Sequence, residues 1–461
     1  MNSATAFGRE TKQRWLAPRR SGIGRVLILT VPAALVAAAL GVLATQKSEW
    51  AIIAAAAVLV VGIVVYDPMV IVALAVPATL ILMRVNGVLS VSDLVLAAAT
   101  AVAVVMIRPR GLSSMQSLLW AGAAYSGASI PTLILNVYSE NVIEWAHELV
   151  LVMGSMVVGF AIGRQGRTRF AIGSYIVACL VIAVWAIGKF VIVFALTGAA
   201  EEVYLPHLHK NTIGGMLSAA IVIVYARPPW LRLSPAALYW GTLIVLAGGV
   251  AASQSRQGMI AAVAGLVIIS LRPRPETGRR PVLIWVTALP VLVFAFSMLE
   301  TQLESGNQFN SAYQRLTWYQ ESVDIWLTSP IFGVGLRWWY TSRFGEGFQP
   351  PNAELEVLTS VGVVGLIAFL ALFVVAIVAL WRLDPAYGTV GAAVVVTRLA
   401  QAQLDLYWVA GQASLLWIVT GITFGALYRD KGLPRGPQAT AFGRPLTAVG
   451  GSHLNRREEA P

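Results

Sequence analysis

Three short motifs in this chain set basic and amide side chains just ahead of long apolar runs. They are Leu205-Pro-His-Leu-His-Lys-Asn211, Ser253-Gln-Ser-Arg-Gln-Gly258 and Pro350-Pro-Asn-Ala-Glu354. Each opens a predicted helix, over 211–226, 257–271 and 353–380 respectively. A helix N-terminus presents unpaired N–H groups and a partial positive charge, which makes it a ready site for an anion. Lys210 and Arg256 lie inside two of these motifs, and Arg315 lies in a polar stretch between the second and the third. Arginine suits phosphate because its planar fork binds two oxygens at once and keeps its charge. The chemistry these residues can serve is the holding of a phosphate or diphosphate. Competing readings stand beside it. Asn211 and Asn352 serve as plain N-caps, Glu354 complements its helix dipole, and Arg256 can snorkel to lipid headgroups.

The elements that must position these residues are membrane helices. The chain has 461 residues, 57% hydrophobic and only 12% charged, with a mean hydropathy of +0.73. That is the composition of an all-α polytopic membrane protein. About fourteen spans satisfy the length an apolar helix needs, some of them only if tilted or interfacial, so twelve is the alternative count. They fall near 26–44, 51–66, 69–83, 92–107, 116–135, 143–163, 170–197, 211–226, 236–252, 257–271, 282–299, 353–380, 388–404 and 410–428. The chain thus divides into a basic tail (1–25), a helix bundle (26–299), one large loop (300–352), C-terminal helices (353–428) and a Gly-, Pro- and Arg-rich tail (429–461). The N-terminal basic region and first apolar run are both long, with no small-residue cleavage site, and read as a first span rather than a removed signal. Cys179 is the only cysteine, so neither a disulfide framework nor a cysteine metal site is expected.

With a cytoplasmic N-terminus and alternating loops, the inner loops and tails hold 24 of the 33 Lys and Arg residues. The outer loops hold seven, namely Lys47, Arg84, Lys210, Arg256, Arg315, Arg337 and Arg343. This is a positive-inside pattern that puts both termini in the cytoplasm. It also accounts for the net charge of +11 without a nucleic-acid partner. The three motifs and the 300–352 loop then share the outer face.

That loop is the long polar stretch between apolar ones. Ser311 and Gln314 have the form of a capping box, and Ala312, Leu316, Tyr319, Val323 and Trp326 fall on one helical face. Arg315 and Glu321 lie off that stripe. Pro330 ends the helix, and Gly333 and Gly335 permit a tight turn. The expectation is a short helix that lies over the bundle and lids a site. Trp338, Trp339 and Tyr340 read as an interfacial belt or as sugar-stacking rings. Two polar stripes fall inside spans: Glu144, His147 and Glu148, then Arg398, Gln401 and Asp405. Such groups face a bundle interior, where they serve either function or helix pairing. Lys189 reads as a snorkelling charge.

The order of these features resembles the O-antigen ligase and polymerase superfamily of bacterial integral membrane glycosyltransferases. The residues that carry the likeness are His209-Lys210-Asn211, Ser253–Gly258, Arg315 with Trp318, Ser329–Gly335, and Asn352 and Glu354 followed by Gly362 and Gly365. The resemblance implies transfer of a glycan from a polyprenyl diphosphate donor to a glycan or lipid acceptor hydroxyl, outside the cytoplasmic membrane. It implies no cofactor and no metal. Partners would be the donor, the acceptor, membrane lipids and other polysaccharide-assembly proteins. Arg256 and Arg315 would steady the leaving diphosphate, with Lys210 as a third cation. Asn211, Ser255, Trp318, Glu321, Arg337 and Asn352 would complete substrate binding. One departure is Pro351, which stands where ligases of this kind commonly carry histidine. The acceptor's proton would then pass to His209, whose ordinary pKa of about 6.5 allows a neutral ring at working pH, or to Glu354. Alternatives are a transporter or flippase of lipid-linked glycans and an inactive scaffold of an assembly complex.

Overall fold

The computed structural model describes residues 62, 66–84, 89–107, 109–231, 233–272, 293, 297, 311–345, 347–408 and 410–432. The span expected at 26–44, all of 282–299 except residues 293 and 297, nearly all of 51–66, the N-terminal tail and the C-terminal tail beyond residue 432 lie outside these residues, as do the side chains of Ser311 and Ala312. The chain divides into two compact units, Met1–Val70 and Ile71–Pro461. The first is described only at Gly62 and residues 66–70, and everything below concerns the second.

The second unit is helical. Its main elements are α1 (Val91–Met106), α2 (Gln116–Ala128), α3 (Ser139–Leu149), α4 (Ser155–Arg164), α5 (Thr168–Thr197), α6 (Lys210–Ala226) and α7 (Ala236–Ser253). They continue with α8 (Arg256–Leu271), α9 (Ser311–Leu327), α10 (Ala353–Arg382), α11 (Pro385–Ala402) and α12 (Ala410–Lys431). Among the described residues six helical stretches are long and apolar enough to cross a membrane, and α1, α6 and α8 are shorter apolar helices. A π-helical turn at Val150–Gly154 joins α3 to α4 into one such stretch. The protein is an all-α, multi-pass membrane protein.

Two packing devices build the end of this bundle where the three motifs lie. The first is a glycine contact between α6 and α8. A Cβ on Gly258 would fall 2.8 Å from the Gly214 Cα, so the two backbones touch. The Ser218 hydroxyl crosses the same contact and donates to the Gly258 carbonyl at 2.6 Å. This close crossing brings the N-termini of α6 and α8 side by side. Gly215 does the same for α11, because Gln401 occupies the place of a side chain there.

The second device is a broken helix. Gly362 has φ 70° and ψ −169° and interrupts α10 after its first two turns. A break of this kind strands backbone groups that must find other partners inside a bilayer. The loop supplies them. Val363 and Val364 donate to the Pro330 and Ile331 carbonyls at 3.0 and 3.3 Å, and Val334 and Gly335 donate to the Thr359 and Ser360 carbonyls at 2.9 and 3.0 Å. The Ser329–Gly335 segment is therefore a plug fitted to the break. Tyr138 and Asn141 hold its far end, through the Leu336 carbonyl at 2.6 Å and the Leu336 amide at 2.8 Å.

Helix α9 forms as expected and ends before Pro330, but its buried side differs from the apolar stripe. Leu316 and Val323 are exposed, while Ser322 and Ile325 are buried. Ile325 packs with Val334 and Trp338, a cluster flanked by Trp339, Phe344 and Phe348. The aromatic segment after the plug recruits the Trp318–Ser322–Ile325 side, and this tertiary contact overrides the helix's own periodicity.

Candidate active site

A cavity of about 660 Å³ opens where the N-termini of α6 and α8 meet α9 and the turn after α11. One wall carries His209, Lys210, Asn211 and Arg256. Helix α9 contributes Gln314, Arg315 and Trp318 from another side, with Phe348, Gln349 and Pro351 beside them, and Asp405 faces them from the third. Arg315 and Trp318 reach the cavity because they share the helical face that buries Ser322 and Ile325. Six expected residues are thus brought together: His209, Lys210, Asn211, Arg256, Arg315 and Trp318.

The remaining expected residues stand elsewhere. Ser255 is fully buried and caps α8, accepting the Gly258 amide at 3.2 Å. Asn352 caps α10 through the Leu355 amide at 2.9 Å, and its own amide group reaches the Gln403 carbonyl at 3.2 Å. The Glu354 carboxylate is held by the Gln403 side chain at 2.6 Å and does not line the cavity. Glu321 is exposed on α9 and is also outside the lining. Arg337 is buried and pairs with Glu144 at 2.5 Å. That pair belongs to a separate network in which His147 meets Asp93 at 3.0 Å and Glu144 at 3.1 Å, and Tyr125 donates to Glu148 at 2.9 Å. The first polar stripe is thus a set of paired groups that also anchors the loop. Among the described residues no group of three or more His, Cys, Asp or Glu side chains is placed to hold a metal ion.

Local geometry corrects the expected cap of α6. His209, not Asn211, is the N-cap, and its Nδ1 accepts the Asn211 amide at 3.2 Å. A neutral imidazole accepting at Nδ1 carries its proton on Nε2. Tyr204 meets the ring edge-on at 5.1 Å, and Lys189, exposed on α5, donates to the Tyr204 carbonyl at 2.5 Å. Burial is the main cause that holds the His209 pKa below its usual 6.5, with Lys210 and Arg315 acting in the same direction and Asp405 and Glu202 against it.

Lys210 is ion-paired with Glu202, which also accepts from the Tyr204 hydroxyl. Burial pushes the Glu202 carboxyl up, but these bonds outweigh it and leave its pKa below the usual range. Arg256 and Arg315 stand close enough to repel each other, while Glu202 acts on Arg256 in the opposite sense. Two confined like charges favour an anion between them.

Sequence reasoning missed several lining residues, notably Glu202, Gln257 and Asp405. Asp405 had been set on the same helical stripe as Arg398 and Gln401. Helix α11 stops at Ala402 instead, and Asp405 sits in the following turn, where the Gln257 amide donates to its Oδ2 at 2.6 Å.

Fold and site together define a multi-pass membrane protein with a cationic, amide-rich cavity at one end of its helix bundle. Residues 241–370 match the family model described as O-antigen ligase, which supports the resemblance drawn from the motifs. The match spans Arg256, Arg315, Trp318, the plug and the first part of α10, and it leaves His209–Asn211 and Asp405 outside. Comparison of the chain with curated proteins gives no match.

Proposed function

We propose that this protein transfers a glycan from a polyprenyl diphosphate donor to an acceptor hydroxyl, at the outer face of a bacterial cytoplasmic membrane, during assembly of a cell-surface polysaccharide. The family match to O-antigen ligase supports the ligase or polymerase class of reaction. The single observation that carries the finer reading is the convergence of Arg256 and Arg315 on one cavity that also holds His209 and Asp405.

In the reaction the acceptor oxygen forms a bond to the anomeric carbon while the bond from that carbon to the diphosphate oxygen breaks. The bonding pair leaves with the diphosphate. Arg256 and Arg315 offer paired N–H donors to the charge that builds there, and preorganised donors of this kind usually supply the largest catalytic effect. His209 adds its Nε2–H, since Nδ1 already accepts from the backbone. The acceptor's proton passes to Asp405, whose carboxylate is oriented by Gln257 and lines the same cavity. This assignment departs from His209 or Glu354 as base, because the first presents a proton and the second is turned to Gln403. Trp318 and Phe348 stack at 5.8 Å on the cavity wall and offer an apolar face to a sugar ring.

The test is transfer in membrane vesicles, with the lipid fraction of a strain lacking this gene as donor. The wild-type protein should move glycan off the carrier lipid. Full transfer by Arg256→Ala would defeat the proposal and leave the snorkelling reading of that side chain.

A further inference from the structure

Arg398 lies on α11, buried and outside the lining of the large cavity. A buried guanidinium needs its hydrogen bonds met and its charge compensated. Among the described residues no carboxylate forms an ion pair with it. Its partners are instead two consecutive backbone carbonyls. Nη2 donates to Leu406 at 3.0 Å and to Tyr407 at 2.8 Å, and Nη1 donates to the Gln412 side-chain oxygen at 2.9 Å. The ring of Tyr407 packs beneath the guanidinium at 5.3 Å. The two carbonyls belong to the residues that directly follow Asp405. Gln412 lines the large cavity, and Gln401 links it onward to the Asn211 carbonyl, with both contacts at 3.5 Å.

A turn of seven residues between two helices has many conformations open to it. Here one side chain fixes its backbone from inside the bundle, while Gln257 holds the Asp405 carboxylate from α8.

We propose that Arg398 is the positioning residue for Asp405: it anchors the Leu406 and Tyr407 carbonyls so that the carboxylate faces the cavity and can take the acceptor's proton. The inference rests on the reading of Asp405 as the base. Lysine can replace the charge but not the fork that spans both carbonyls and Gln412. Asp405 also faces His209, Lys210, Arg256, Arg315 and Glu202 around the cavity.

The experiment uses the full-length protein in vesicles, with the same carrier-lipid fraction as probe. Arg398→Gln, Arg398→Lys and Asp405→Asn are compared with wild type in kcat, donor KM and folded membrane protein. In Arg398→Gln the expected result is a kcat lowered about 10- to 100-fold by misplacement of the base, with donor KM nearly unchanged. Arg398→Lys should also lose kcat, because it keeps the charge but not the fork. Transfer by Arg398→Gln reduced only in proportion to folded protein overturns the proposal. So does failure of both variants to reach the membrane, which makes Arg398 a folding residue. Wild-type transfer by Asp405→Asn defeats the base assignment itself, whereas an inactive Asp405→Asn beside a wild-type kcat per folded Arg398→Gln protein defeats only the positioning role.

Discussion

Gly333 packs against the backbone of Ser360 with no room for a side chain between them: a Cβ at Gly333 would overlap the Ser360 carbonyl. The contact joins the loop to the break in α10, and it ties the segment that carries Arg315 and Trp318 to a membrane helix.

Gly333→Ala and Gly362→Ala should therefore both destabilise the fold. Each position has a positive φ, 71° and 70°, and each side chain would meet backbone rather than a movable group. The strain alone costs roughly 1–3 kcal/mol, and the overlap adds to it. Gly345 is the control, with φ 79° but open space around it, so Gly345→Ala should show the strain without the overlap. Thermal denaturation in detergent orders the three, and a Gly333→Ala midpoint equal to that of Gly345→Ala would refute the plug as a structural element.

Arg256→Lys should lose about 10²–10³ in transfer rate, the usual cost of one transition-state contact. The charge remains, but the paired donors do not. Membrane abundance should stay near wild type, since Arg256 heads α8 and Ser255 supplies the cap. The vesicle assay reads this directly, and a rate within threefold of wild type would count against a bidentate role.

His209 should titrate below pH 6.5, because burial disfavours its charged form. The chain has four histidines, so ring resonances can be assigned by single replacements. The sign for stability follows from linkage. Above about pH 6.5 both folded and unfolded chains hold this ring neutral, and it contributes nothing. As pH falls, the unfolded chain takes the proton first and stability drops, until the folded ring also protonates. A midpoint at or above 6.5 would contradict the arrangement described for the α6 cap.

Topology is testable by reporter fusions. A fusion at Gly306 should report the outside, and fusions at Gly278 and in the C-terminal tail should report the cytoplasm. The expectation rests on the distribution of Lys and Arg. A cytoplasmic Gly306 would remove the outer cavity from the proposal altogether.

Much of this protein is legible in its sequence, because the bilayer imposes strong local rules. Apolar length determines the helices, since backbone groups in lipid must be satisfied within the segment. The motifs at 205–211 and 253–258 could be read as helix openings with outward cations because caps and charge act over one turn. Gly333, Gly335 and Pro330 announced a tight turn by conformation alone.

Tertiary structure decided which of these residues meet. Arg337 and Glu354 have the right chemistry, yet Glu144 and Gln403 hold them away from the cavity. The buried side of α9 follows the Trp338 cluster and not its own apolar period. Asp405 joined the cavity only because α11 ends at Ala402 and Arg398 secures the turn beyond it. Ends of helices in a packed bundle depend on long-range hydrogen bonds, and no window of local sequence contains both partners.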